Sequence, residues 1–109
     1  MTKFILYSNK EHFLGYEVEC HSTNDQNDQE GKLVCSAVSS AVIMTANTIT
    51  DILNIKADVT VKDGYLKIIV KSPDDKTDLL IDGLKLHINE LKNEYKGRIK
   101  LITEDYNND

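Results

Sequence analysis

The chain has no tryptophan, one proline, two cysteines and five glycines among its 109 residues, and only 6% of its side chains are aromatic. A lone Pro73 excludes a proline-rich linker or recognition segment. Gly15, Gly31, Gly64, Gly83 and Gly97 are too scattered to build a phosphate-cradling loop. Two cysteines are too few for a disulfide scaffold and form no Cys-x-x-Cys pair, so reduced thiols are the expectation. The first thirteen residues, MTKFILYSNKEHF, carry only four apolar residues in a row, too few for a signal-peptide core or a membrane span. That predicts a cytoplasmic protein without a membrane partner. No cluster of Lys and Arg occurs, and the net charge is −5. A nucleic-acid backbone is therefore repelled on average, and Tyr7, Tyr16, Tyr65, Tyr95 and Tyr106 are too dispersed to stack bases. A basic protein is the better-matched partner.

What remains is a chain of the size of one domain, able to bury about two-thirds of the surface its unfolded form exposes. Residues 3–8 (KFILYS) read as a strand, and a polar turn leads to a second in which Leu14, Tyr16, Val18 and Cys20 alternate with Gly15, Glu17 and Glu19. Val34, Val38, Ala41, Thr45, Ile49 and Ile52 then recur every three or four residues and predict a helix over about 33–53. Residues 56–61 and 65–71 flank Asp63-Gly64, a strong signal for a tight hairpin. After Ser72-Pro73-Asp74-Asp75, the spacing of Leu80, Leu84, Ile88 and Leu91 predicts a second helix over 77–95. A last strand over 98–103 and a frayed tail over 104–109 complete a ββαββαβ order. Paired strands separated by helices favour a single α+β domain, with two helices packed on mainly antiparallel sheet.

Between the second strand and the first helix, residues 22–32 carry no hydrophobic side chain and predict a mobile loop able to order as a lid. Cys35 is expected in the first turn of the helix, where unpaired N–H groups and the helix dipole stabilise a thiolate, the reactive form of cysteine. His21 lies fourteen residues earlier, close enough along the chain to fold back as its base, and backbone N–H groups at the helix start can hold an oxyanion. Free cysteine is also one of the most commonly buried residues, so packing is the competing role for Cys35. If Cys20 faces the core, strand alternation turns His21 to the other side unless the chain twists. A Cys20–Cys35 disulfide has weak support, and a zinc site of Cys20, His21 and Cys35 lacks suitable spacing. Neither a metal nor any other cofactor is expected. His12, in a turn, and His87, on the second helix, read as solvent-exposed and without a role.

The segments GYEVECH and GKLVCSAVSSA resemble the ribosomal-processing cysteine protease family, in which a strand ends in Gly-His and a helix opens with Asp-(Ile/Val)-Val-Cys-(Ala/Ser)-Ala-Val-Ser. The resemblance implies a protease with Cys35 as nucleophile and His21 as base, and Ser39 as an orienting or substrate-binding hydroxyl. It implies a homodimer that trims a short N-terminal extension from a basic large-subunit ribosomal protein, the twenty-seventh, for ribosome assembly. Cys20 and Lys32 stand where the family usually has glycine and aspartate. Two other functions fit these departures: a non-catalytic module that binds the ribosomal protein, and a thiol redox sensor built on Cys20 and Cys35.

Overall fold

The computed structural model describes residues 1–20 and 27–106. Its elements follow the expected order: β1 (Thr2–Ser8), β2 (Phe13–Cys20), α1 (Gln29–Asn47) continued by a π-helical turn (Thr48–Ile52), β3 (Ala57–Lys62), β4 (Tyr65–Val70), α2 (Asp75–Glu94) and β5 (Ile99–Asp105). They form one five-stranded sheet in the order β3-β4-β2-β1-β5. β5 runs parallel to β1, and every other neighbouring pair is antiparallel.

Alternation along the strands divides the sheet into two faces. Phe4, Leu6, Tyr16, Val18, Leu66, Ile68 and Val70 point to the face covered by the helices, where they meet Val34, Val38, Val42 and Ile49 of α1 and its π-helical turn and Ile81, Leu84 and Ile88 of α2. Burying each large aliphatic side chain here contributes about 1.5–3 kcal/mol. Tyr16 is completely buried and resolves its polar end by donating a hydrogen bond to the Val42 carbonyl at 2.8 Å, fastening β2 to α1. The opposite face carries a smaller cluster of Ile5, Tyr7 and Leu14. Leu14 was expected on the core face with Tyr16. A register shift between Tyr7 and Ser8 moves it across, because one residue of slip reverses the side chains of β2 that precede it.

Gly15 lies in this irregular stretch, and a Cβ there would fall 1.9 Å from the Ile68 carbonyl oxygen. Only glycine lets β2 approach β4 this closely.

Two boundaries differ from those expected. α1 begins at Gln29 rather than near residue 33, because Asp28 caps it by accepting from the Gly31 N–H at 3.0 Å. Part of the expected loop, residues 29–32, is therefore helix, and residues 21–26 lie outside the described residues. At the other end Thr45, Thr48 and Thr50 bond back to carbonyls four residues earlier, and Asn54 leaves the helix at φ 54°. Ile52, predicted to join the buried stripe, is 73% exposed in the π-helical turn. By length and composition residues 29–52 are apolar enough to cross a membrane, but their buried stripe packs on the sheet as a core helix does.

The expected frayed tail is also partly ordered. β5 pairs with β1 through Glu104 and Asp105, the Tyr106 N–H donates to the Ser8 carbonyl, and the Tyr106 ring meets Tyr7 edge-on at 5.2 Å. Fraying was expected from the segment's position at the C-terminus, which does not register main-chain pairing.

Candidate active site

The site begins at the end of β2. The Asp63-Gly64 turn, where Gly64 has φ 71°, folds the β3–β4 hairpin so that the Gly64 carbonyl accepts the Cys20 N–H at 2.9 Å. A Cβ on Gly64 would come within 2.9 Å of the Cys20 carbonyl oxygen. The turn thus needs glycine for both its dihedral and its approach to β2. Strand alternation aims Cys20, 5% exposed, at α1.

Cys35 faces it from α1, and a disulfide joins the two, with Cα atoms 5.7 Å apart. That separation is ordinary for a bridge, so neither element has to move to form it. The expectation of two reduced thiols is corrected by this geometry: the alternation that makes Cys20 a core-facing residue also delivers it to Cys35. The Thr2 hydroxyl lies 3.4 Å from the Cys20 sulfur.

The earlier start of α1 changes the setting of Cys35. Six residues separate it from Gln29, about 9 Å along the axis at 1.5 Å per residue. Cys35 lies in the second turn, where an α-helix uses each N–H on the carbonyl four residues back, and the dipole effect fades beyond the first turn. The expected oxyanion donors from the helix start are therefore not beside Cys35. Those N–H groups are met by Asp28, whose carboxylate receives Gly31 and whose carbonyl receives Lys32 at 3.3 Å.

Cys35 and Ser39 are both half-buried and lie one turn apart on the same side of α1. They line an open groove of about 590 Å³ with Glu19, Cys20, Asp63, Gly64 and Tyr65. Next to it, Val42, Ile43, Val61 and Leu66 line a smaller apolar hollow that also includes Ser39. Of the predicted site residues the structure thus brings Cys35 and Ser39 to one groove. His21 lies outside the described residues. Among the described residues no group of three His, Cys, Asp or Glu side chains is placed to hold a metal ion.

Three polar clusters escaped the sequence reading. On the open face of the sheet, Tyr7 and Tyr65 donate to the two carboxylate oxygens of Glu17, at 2.5 and 2.8 Å. Burial alone would raise the Glu17 pKa, but the two phenol hydrogen bonds outweigh it and hold the carboxyl below its usual value. Desolvation and the bond to Glu17 push Tyr65 up to about 12, so the tyrosine at the groove wall is a neutral phenol. Arg98 meets Asp28 at 2.7 Å and Glu30 at 3.2 Å, joining the start of α1 to the start of β5. The Arg98 hydrogen bond, aided by the Gly31 N–H, holds the Asp28 carboxyl below its usual range.

The third cluster corrects the reading of His12. It is not a free surface residue: its Nδ1 lies 2.6 Å from an Asp78 carboxylate oxygen, and the other oxygen accepts the Phe13 N–H at 2.9 Å. The hydrogen bond to Asp78 raises the His12 pKa against a smaller opposing effect of burial. His87 is exposed, as expected. The start of the second helix is visible in sequence, but the pairing of its Asp78 with His12, 66 positions away, is not.

A helix that presents a cysteine to an open groove, against the end of a strand followed directly by histidine, defines a candidate thiol hydrolase on an α+β fold. The chain belongs to the cysteine protease Prp family, whose model matches residues 1–100. Among solved structures it is similar to the essential ribosomal processing protease Prp from S. aureus in complex with a substrate peptide. That match has 18% identity and a TM-score of 0.84, and covers 95% of this chain and 100% of the other. The same protease with a covalently linked product peptide matches at 18% identity and a TM-score of 0.80, over 95% and 100% of the two chains. SMU.848 from Streptococcus mutans matches at 18% identity and a TM-score of 0.81, over 97% and 99%. The search of curated proteins gives no match.

Proposed function

We propose that this cysteine protease is a cytoplasmic endopeptidase that removes a short N-terminal extension from a large-subunit ribosomal protein, the twenty-seventh, in support of ribosome assembly. The observation that carries the reading is the position of Cys35 on an open groove, directly opposite Cys20, to which His21 is covalently joined. In the reduced protein the Cys35 thiolate attacks the scissile carbonyl. His21 holds the proton taken from the thiol and gives it to the leaving amine, and water, with His21 now the base, releases the acyl group from Cys35. Ser39, one turn along the same side of α1, binds the peptide or orients the reacting groups.

The S. aureus ribosomal processing protease, solved with a substrate peptide and with a covalently linked product peptide, supports a ribosomal protein as substrate and a covalent step. The net charge of −5 favours a basic ribosomal protein, an attraction that weakens as salt rises. A homodimer is part of the reading, for which Met44 and Leu79, 67% and 75% exposed beside one hollow between α1 and α2, supply apolar surface.

The test is intact-mass analysis of the host's precursor of that ribosomal protein after incubation with the dithiothreitol-reduced chain, with Cys35→Ala and His21→Ala in parallel. One discrete N-terminal loss, absent from both variants, is the expected result. A precursor left whole by the reduced wild-type chain overturns the reading, and detectable complex formation in that case identifies a binding module instead.

A further inference from the structure

We propose that Cys20 is a redox latch for Cys35: oxidation closes the two thiols into a disulfide that blocks the reactive sulfur, and a small thiol reductant reopens it. The consequence for proteolysis rests on the function proposed above, whereas the latch itself is a property of the two cysteines.

Their surroundings divide the work between them. Cys20 is buried and held in the sheet, paired with Thr2 of β1 and bonded through its N–H to the Gly64 carbonyl. Cys35 is half-buried on the groove. A solution oxidant or reductant therefore meets the Cys35 sulfur first, while Cys20 waits behind it. A 5.7 Å Cα separation lets the bond close without moving either element. Apart from the bridge, a continuous apolar core joins both helices to the sheet. The bridge lies across Cys35, the more exposed of the two cysteines at the groove.

The exchange balances with a low-molecular-weight disulfide as oxidant. The Cys35 thiolate attacks it, forms a mixed disulfide and expels one small thiolate. The Cys20 thiolate then attacks the Cys35 sulfur and expels the second. The two protein thiols lose two electrons, the small disulfide gains them, and the two protein protons end on the released thiols. Excess small thiol runs the same steps backwards.

The experiment treats the full-length chain with glutathione disulfide and then with reduced glutathione. It reads intact mass, iodoacetamide labelling of Cys35 and cleavage of the ribosomal precursor at each stage, with Cys20→Ser and Cys20→Ala alongside and their folding checked by thermal melting. The expected oxidised wild type is lighter by two hydrogens, resists labelling and cleaves at least about tenfold more slowly, and reduction restores both reactivities. The variants instead retain glutathione on Cys35.

A wild-type chain that also retains glutathione, with no internal bond, overturns the latch. So does an oxidised chain that cleaves as fast as the reduced one. If the bond forms and gates labelling but neither state cleaves the precursor, the protease reading falls and the latch on the thiol stands.

Discussion

The two helices lie side by side on one face of the sheet, yet they handle polar groups in opposite ways. α2 uses those at its start for structure: Asp74 accepts the Lys76 and Thr77 N–H groups, the Thr77 hydroxyl returns a bond to the Asp74 main chain, and Asp78 holds His12 and the Phe13 N–H. α1 is tied down at its start by Asp28, and from its second turn onward it presents Cys35 and Ser39 to a groove. It ends in a π-helical turn with exposed Ile52. A helix can carry chemistry when its neighbour and its own termini supply the anchoring.

The contrast makes separable predictions. Reduced Cys35→Ala should lose at least about 10³-fold in precursor cleavage while its urea midpoint matches that of the reduced wild type. A variant that still cut would detach function from α1 altogether. Ile81→Ala, in the completely buried stripe of α2, should lower unfolding free energy by about 2–5 kcal/mol in urea titrations and leave the turnover of folded protein near wild type. Asp74→Ala should cost about 1 kcal/mol by the same measurement, again without a specific loss of cleavage. A selective loss of activity in either α2 variant would break the division of labour.

The smallest effect concerns His12 and is read as a pH dependence. Its folded pKa is raised above the ordinary 6.5 by Asp78, so its contribution to stability is fully present below that pH and disappears as pH rises through the raised value. Urea midpoints should therefore fall with rising pH across that window more in the wild type than in His12→Gln. Equal slopes would assign the pair no part in anchoring α2.

Much of this arrangement was legible from residues alone, and its omissions have physical causes. The Asp63-Gly64 hairpin, the alternation that faced Cys20 inward and the spacing that put Ser39 on the side of Cys35 are local signals, and the order of elements followed from them. The start of α1 was missed because Gln29, Glu30, Gly31 and Lys32 carry no apolar residue for a periodicity to register, and the helix start is set instead by the Asp28 cap. That four-residue error moved Cys35 out of the terminal turn and with it the supposed oxyanion donors. The disulfide was discounted from cysteine count and expected compartment, although the facing of Cys20 and the helical position of Cys35 together bring them into contact. His12 and Asp78, or Arg98 and Asp28, meet only after the whole sheet has formed, and no short stretch encodes such pairings.

The last strand has a consequence for the timing of synthesis. β5 is the last of the five strands to be made, yet it pairs with β1, the first of them, from Thr2↔Ile99 to Ser8↔Asp105. A nascent chain can close the β1–β2 hairpin early, but one flank of β1 stays an open edge until the C-terminal residues emerge. The sheet therefore stays incomplete until its fifth strand has been made, and its closure couples the first and last elements of the fold.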